Sequence, residues 1–218
     1  MTATPPPAAA TRTPWWVYAG ATLTVVVLVL GLRQFLVQSF SVPSVSMEPT
    51  IEPGDRLLVN RLVRGDGLHR GDIVVFDGTT AFPVSGPGEG GTNAGTDYVK
   101  RVIGLPGDHV VCCDPSGRLL VNDTPVDEPY LWPGDRPSAL TFDVTVPSGS
   151  MWVMGDHRSE SGDSRSYLGR PGGGMVPFRD VIGQATVRYW PPGRLGSLGS
   201  PDGPGPVSVV PSPAGAGQ

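Results

Sequence analysis

The 218-residue chain is short of several things at once. Two cysteines are too few for a disulfide framework or a four-cysteine zinc site, and three scattered histidines exclude a histidine-rich metal centre. Basic runs are missing and the formal net charge is −4, so nothing supplies the clustered cations that neutralise nucleic-acid phosphates. After residue 40 no stretch sustains a 3.6-residue apolar period. The scarcest residue of all is lysine: of the 16 basic residues, Lys100 is the single lysine and the rest are arginine. Compositional bias is the bland account. Yet only lysine can give up its proton on burial, so a chain that uses arginine for every other positive charge marks position 100.

What the chain has in excess is glycine and proline, 31 and 25 residues, unevenly spread. Residues 1–14 are Pro/Ala/Thr-rich and read as a disordered tail. The 28 residues 191–218 hold seven prolines and seven glycines and read as a second such tail. The segment from Gly78 to Asp97 reads as a flexible loop. Trp15 to Leu32 is different: 18 residues without a charge. As a helix this run spans about 27 Å, close to the ~30 Å hydrocarbon core of a bilayer. Trp15, Trp16 and Tyr18 stand at one end, where aromatic rings favour the interface, and Phe35, Leu36 and Val37 extend the run past Arg33. Residues 15–37 are therefore expected to form a single transmembrane anchor. A cleaved signal peptide is the competing reading, with Ser39 and Ser41 as small residues before a cut. It is disfavoured because the apolar run exceeds the usual ~7–15 residues and the preceding segment carries one arginine. Arg12 and Arg33 flank the run on both sides, so charge alone does not orient it.

Beyond the anchor, short runs rich in Val, Ile and aromatics alternate with Gly, Pro and Asp, which predicts a mostly β, antiparallel domain rather than a βαβ fold. Strands are expected at Arg56–Val63, Asp72–Phe76, Tyr98–Ile103, His109–Cys113, Arg118–Val121, Thr141–Val146, Met151–Met154 and Val181–Trp190.

Three segments carry chemistry. Phe40 to Ile51 (FSVPSVSMEPTI) places Ser41, Ser44 and Ser46 between Pro43 and Pro49, which prevent a helix. Val42, Val45, Met47 and Ile51 are apolar enough to pack, which would fix the serines in place. Tyr98 to Asp108 (YVKRVIGLPGD) sets Lys100 in a β run, with Tyr98, Lys100 and Val102 on one face and Val99, Arg101 and Ile103 on the other. Burial there would lower the amine pKa, by up to ~3–5 units at full burial, and make a neutral base available. Gly155 to Arg165 (GDHRSESGDSR) follows an apolar strand. Its Asp156, Arg158, Asp163 and Arg165 can pair, and Ser161 can donate or accept, as a polar network supporting a site.

In this order, PSVSMEPT, RGDIVVF, YVKRVIGLPGD and GDHRSESGDSR after an N-terminal apolar segment closely resemble the bacterial type I signal peptidases, over roughly Phe40 to Trp190. The resemblance implies a membrane-bound serine endopeptidase with a Ser/Lys dyad. Ser46 would be the nucleophile and Lys100 its base, with the Ser44 hydroxyl and the Ser46 N–H binding the oxyanion. Ser161 would orient the lysine, and Asp163 and Arg165 would support the loop, together with Asp156 and Arg158. It implies a β catalytic domain over 38–190 with a smaller β insertion at about 107–149. The implied partners are signal peptides of secretory precursors ending in small-X-small, the lipid bilayer and the secretion translocon. The implied location is the cell membrane, single-pass, with the catalytic domain on the extracytoplasmic side. An extended substrate could add to strand edges near Phe40–Ser44 and Asp97–Val99, and Phe40, Val42, Pro43, Met47, Asp97, Tyr98 and Val99 are the residues expected to bind it. No metal or organic cofactor is required by such chemistry.

Departures from the family pattern fall at His157 and Glu160, where the supporting loop often carries Asn. His157 opens the alternative of a Ser/His base, as in the related endoplasmic-reticulum and archaeal-type enzymes, but there the histidine stands at the lysine position. His69 and His109 read as structural. Cys112 and Cys113 are adjacent; with neighbouring Cα atoms ~3.8 Å apart against the usual ~4.4–6.8 Å, a bond between them is expected to be strained, which points to reduced thiols or pairing between molecules. Three rival readings remain open at the sequence level. They are a self-cleaving repressor-type Ser/Lys peptidase, a non-enzymatic membrane-anchored β module, and a paralogue dedicated to one precursor such as a pilin-like protein. The first would need a DNA-binding segment where Trp15–Leu32 stands. The second leaves the lone Lys100 beside a serine-rich segment unexplained.

Overall fold

The computed structural model describes residues 14–82, 96–198 and 208–209. Residues 1–13 of the expected N-terminal tail, 83–95 of the expected loop and most of 199–218 lie outside these. The N-terminal helix and the chain from Val37 on form two separate units.

Helix α1 runs from Trp15 to Leu36, beginning after Pro14, whose carbonyl accepts from the Val17 N–H at 3.0 Å. Its apolar side chains, among them Leu23, Val27 and Leu28, are exposed. The hydroxyls of Thr22 and Thr24 donate to the carbonyls of Tyr18 and Gly20 one turn back, so neither seeks an outside partner. Among the described residues, no helix is long and apolar enough to cross a membrane. The helix ends one residue before the expected anchor does, because Val37 already opens the first strand.

The second unit is mostly β. Its strands are β1 (Val37–Ser41), β2 (Arg56–Asn60), β3 (Ile73–Asp77), β4 (Asp97–Gly104), β5 (His109–Cys112), β6 (Leu119–Val121), β7 (Thr124–Asp127), β8 (Phe142–Thr145), β9 (Ser150–Met154), β10 (Val176–Pro177), β11 (Val181–Trp190), β12 (Gly196–Ser197) and β13 (Ser208–Val209). An eight-stranded sheet has the order β1-β2-β11-β3-β4-β9-β10, with β12 added to β11, and a five-stranded sheet has the order β13-β7-β6-β5-β8. Strands β5 to β8 of the second sheet lie between β4 and β9 in the chain. Every strand pair is antiparallel.

Strand β4 is the axis of the domain. It lies between β3 and β9, and every residue after Asp97 is buried, which is why it reads as a nearly continuous apolar run with Lys100 and Arg101 as the exceptions. Three apolar clusters surround it. One gathers Phe40, Val42, Met47, Ile51, Leu57 and Val99. A second gathers Phe76, Phe82, Tyr98, Val102 and Val153. The third packs Ile103 of β4 and Trp152 of β9 against Val110, Leu119, Val121 and Phe142, which seats the small sheet on the large one. Each fully buried large side chain of this kind is worth roughly 1.5–3 kcal/mol.

Four details correct the sequence reading. Pro191–Leu198 is not part of a disordered tail: it makes a 3-10 turn and then β12, and Leu198 is buried in the cluster beneath Val42 and Met47. The start of the supposed loop is a turn closed by Gly78 N–H to Thr96 O at 2.8 Å, and Phe82 is fully buried between Phe76, Tyr98 and Tyr167. Strands β1, β7, β10, β12 and β13 were unforeseen; Pro125 conceals β7, the apolar run before it absorbs β1, and β13 falls in the segment read as a disordered tail. Finally, Cys112 and Cys113 are bonded to each other rather than reduced or paired between molecules; the peptide between them is cis, with Cα atoms 3.0 Å apart, whereas the expectation assumed a trans link.

Candidate active site

The serine-rich segment leaves β1 and turns back through residues 45–50 before β2. Its shape follows from its apolar residues: Val42, Met47 and Ile51 are all essentially inaccessible, at 1%, 0% and 0% exposure, and pull the segment onto the core. The backbone is pinned too, with Val42 N–H on Asp55 O (3.0 Å), Gly54 N–H on Val42 O (2.8 Å) and Ile51 N–H on Met47 O (2.8 Å). At its outer end Arg188 Nη1 donates to Thr50 O at 2.5 Å, and Arg188 and Arg194 reach Asp55 at 3.7 and 3.3 Å. Ser46 is thereby fixed beside buried Met47 and is itself 5% exposed, with its Oγ 3.2 Å from the Ser44 hydroxyl; Val45, expected to pack, is exposed instead.

Lys100 comes from β4, 54 residues away in the chain, and its Nζ lies 2.6 Å from Ser46 Oγ. The side chain is 3% exposed. Burial pushes its pKa down to about 8; the charges of Asp163 and Asp156 oppose that, and Arg165 reinforces it. A lysine at about 8 supplies neutral amine in useful amounts near neutrality, which an ordinary surface lysine does not.

The polar loop after β9 supplies those charges. Asp163, with no exposed surface, accepts from Arg165 Nε (2.8 Å), Arg165 Nη2 (2.7 Å) and Gly155 N–H (3.0 Å). Burial alone would raise its pKa, but the Arg165 hydrogen bonds and charge, the Gly155 N–H and the Lys100 charge together hold it below the usual carboxylate value. Gly155 is a close-approach glycine: a Cβ there would sit 2.3 Å from Ser161 Oγ and 2.4 Å from the Ser46 carbonyl oxygen. The loop also touches the nucleophile segment directly, since the His157 N–H donates to Ser46 O at 3.1 Å.

Several sequence expectations need correction here. Of the four charged residues expected to pair, Asp163 and Arg165 pair with each other, whereas Asp156 and Arg158 find partners outside the loop. Asp156 takes a two-pronged contact from Arg101, at 2.8 and 2.6 Å, plus the Thr50 hydroxyl at 2.5 Å. Arg158 pairs instead with Glu128 of the small sheet's connection. Among the described residues Ser161 Oγ is buried and makes no hydrogen bond, and the contact that Lys100 Nζ does make is with Ser46 Oγ. Met47, Tyr98 and Val99, expected in shallow substrate pockets, are 0%, 5% and 4% exposed and belong to the core, as do Phe40 and Val42; of the expected substrate residues only Pro43 is exposed, and Asp97 is half-buried. His157 does not reach the nucleophile with its ring, which stacks on Trp132 at 4.6 Å and lies 3.6 Å from Glu48. Arg101, Thr50, Glu128 and Tyr130 were missed. Only Arg101 left a trace in the sequence, as a second charged residue in a strand otherwise apolar on both faces.

The site therefore juxtaposes a buried serine hydroxyl, a second hydroxyl and the chain's single lysine with a depressed pKa. Such a pair can activate the hydroxyl for attack on a carbonyl, because a weak nucleophile needs an adjacent base. Among the described residues no cluster of three or more His, Cys, Asp or Glu could hold a metal ion. Residues 15–190 match the family described as signal peptidase, peptidase S26. The signal peptidase I of Leptolyngbya laminosa is 40% identical over 177 residues, covering 81% of this chain and 80% of that protein. The signal peptidase I of Bacillus caldolyticus is 37% identical over 193 residues, covering 83% and 90%. A probable signal peptidase I of Mycobacterium leprae is 33% identical over 234 residues, covering 87% and 81%. The relatives and the serine-centred geometry agree, which sets aside the repressor-type and non-enzymatic readings: the chain belongs to the signal peptidase family S26 and is a serine-type hydrolase that removes signal peptides.

Proposed function

We propose that this chain is a membrane-anchored endopeptidase that cuts secretory precursors after small-X-small, with Ser46 as nucleophile and Lys100 as general base. The observation that carries the reading is the 2.6 Å contact between Ser46 Oγ and a lysine Nζ whose burial brings its pKa to about 8. Neutral Lys100 takes the Ser46 proton as Oγ attacks the scissile carbonyl carbon. The oxyanion is received by the Ser46 N–H and the Ser44 hydroxyl. The ammonium then returns the proton to the departing amine as the C–N bond breaks. Lys100 next takes a proton from water, whose oxygen attacks the acyl ester and releases the signal peptide and Ser46.

Substrate recognition is proposed along the backbone rather than in deep side-chain pockets. β9 joins β4 from Arg101 onward, while β3 runs along it from Asp97, so an extended peptide laid between residues 42–44 and β4 ahead of Arg101 would reach Ser46 in strand-like geometry. Close-packed Val42 and Val99 beside that path leave room for small side chains only.

Anchoring rests on the full charge-free run of Trp15 to Leu32 and on the apolar side chains exposed along α1; at 22 residues the helix is about 33 Å long. Against it, among the described residues no helix is both long and apolar enough to cross a membrane. An anchor fits the chemistry, because the substrate's own apolar segment lies in the same bilayer. By analogy with the family, the catalytic unit is proposed to lie on the extracytoplasmic side, with the translocon as a candidate partner.

The test is cleavage of a membrane-presented precursor with an Ala-X-Ala site. Ser46→Ala and Lys100→Arg are expected to fold and to lose cleavage, since arginine keeps the charge but cannot act as base. Ser44→Ala is expected to lose about 10²-fold in kcat, the usual effect of one oxyanion donor. A Lys100→Arg enzyme that cuts at wild-type rate would remove Lys100 as the base, and a wild type that never cuts this precursor would point to a dedicated paralogue.

A further inference from the structure

The connection after β7 sends two side chains into the catalytic loop. Glu128 is buried (3% side-chain exposure) and binds Arg158 with both oxygens: Nη1 donates to Oε2 at 3.3 Å and Nη2 donates to Oε1. The Tyr130 hydroxyl donates to the same Oε1 at 3.0 Å, and the Tyr130 ring lies 4.1 Å from the Arg101 guanidinium. Pro137 O takes a further N–H from Arg158 at 2.6 Å. Arg158 in turn grips the loop at two points. Its Nε donates to Gly155 O at 2.9 Å, and its carbonyl accepts from Arg165 Nη2 at 2.8 Å. Gly155 N–H and Arg165 are the donors that hold Asp163. Asp163 is the carboxylate whose charge acts most strongly on Lys100.

We infer that Glu128, with Tyr130 beside it, is a positioning residue for the peptidase reaction: it fixes Arg158, and through Arg158 the Gly155 and Arg165 donors that keep Asp163 at the amine. The small sheet thus contributes to catalysis through an unbroken chain of buried contacts from a connection about thirty residues before the loop. This rests on Lys100 being the base. The charged groups facing Lys100 are Asp163, Asp156 and Arg165; those facing Glu128 are Arg158 and the Tyr130 hydroxyl, with Arg101 over the Tyr130 ring. Removing the Glu128 charge makes these surroundings less negative and loosens Asp163. Both effects favour the neutral amine, so the acid limb of the rate profile should move to lower pH.

The experiment compares the full chain in lipid vesicles as wild type, Glu128→Gln, Glu128→Asp, Tyr130→Phe and Lys100→Arg, on an Ala-X-Ala precursor. Glu128→Gln is expected to lower kcat about tenfold with KM changed less than about twofold, and to shift the acid limb to lower pH. Glu128→Asp, which keeps the charge, should restore the limb position more than the rate. A folded Glu128→Gln enzyme with wild-type kcat and profile would overturn the inference, as would a raised KM with kcat intact, which would make Glu128 a substrate contact. Should Glu128→Gln fail to fold, Tyr130→Phe decides: reduced kcat at unchanged KM supports the chain of contacts, and wild-type kcat and profile refute it. Lys100→Arg separates the two claims. If it is inactive while Glu128→Gln is unchanged, only the role of Glu128 falls; if it cuts normally, the base assignment falls and the inference with it.

Discussion

Residues 42–55 and residues 155–165 flank the same 2.6 Å contact between Ser46 and Lys100, yet they are held by different physics. The first segment is placed mainly by apolar burial, with Val42, Met47 and Ile51 in the core and its arginine ion pairs at its outer end. The second is placed by charge: Asp156, Arg158, Asp163 and Arg165 are all buried, and each has a buried or half-buried partner. The difference suits the tasks. A nucleophile needs a fixed position, which close packing provides without charge. A lysine base needs a set pKa, and only fixed charges can offset part of what burial does to it.

Three perturbations would break or sharpen this contrast. The largest is expected for Asp163→Asn, which leaves buried Arg165 without its counter-ion. Loss of one partner from such a pair costs about 3–5 kcal/mol, read by urea unfolding, and should abolish most cleavage as well. A loss below about 1 kcal/mol would show that the loop does not depend on that pair. Ile51→Ala should cost about 3 kcal/mol from the cavity it leaves, with the acid limb of the rate profile unmoved because no charge near Lys100 changes. A shifted limb would mean that the two segments are not independent. The smallest effect is a stability change that depends on pH, in Lys100→Met. Because the folded-state pKa of about 8 lies below the ordinary 10.5, the unfolded chain binds more protons between these values, and wild-type stability rises with pH across that window. Below pH 8 the full cost of the buried ammonium remains. Methionine removes that cost, so its gain in Tm should be greatest at pH 6.5 and shrink toward pH 10. An equal gain at both would argue against a depressed lysine pKa.

Much of this was legible before the structure. The alternation of Tyr98, Lys100 and Val102 marked a buried strand, and its lysine stood out because arginine fills every other basic position. Strands with β-branched or aromatic residues between turn residues, such as Ile73–Asp77 and Val181–Trp190, could be read to within a residue or two. What could not be read were pairings across long separations. Arg101 and Asp156 are 55 residues apart, and Glu128 and Arg158 are 30 apart, so the spacing within the loop could not name these partners. Burial was misjudged as well: Met47 and Tyr98 were expected in substrate pockets, whereas Met47 packs with Val42 and Ile51, and the Tyr98 ring packs on Phe76 and Phe82. The order at Pro191–Leu198 was hidden by composition: Pro and Gly do not favour long strands, but they do not prevent a two-residue pairing with β11.

The most direct measurement is the pH dependence of kcat/KM for wild-type cleavage of an Ala-X-Ala precursor, which reports the free enzyme's essential base. The account predicts an acid limb with an apparent pKa near 8, set by Lys100, that is absent in an inactive Lys100→Arg enzyme. A limb near the ordinary histidine value of about 6.5, lost on replacing His157 and retained in Lys100→Arg, would contradict it.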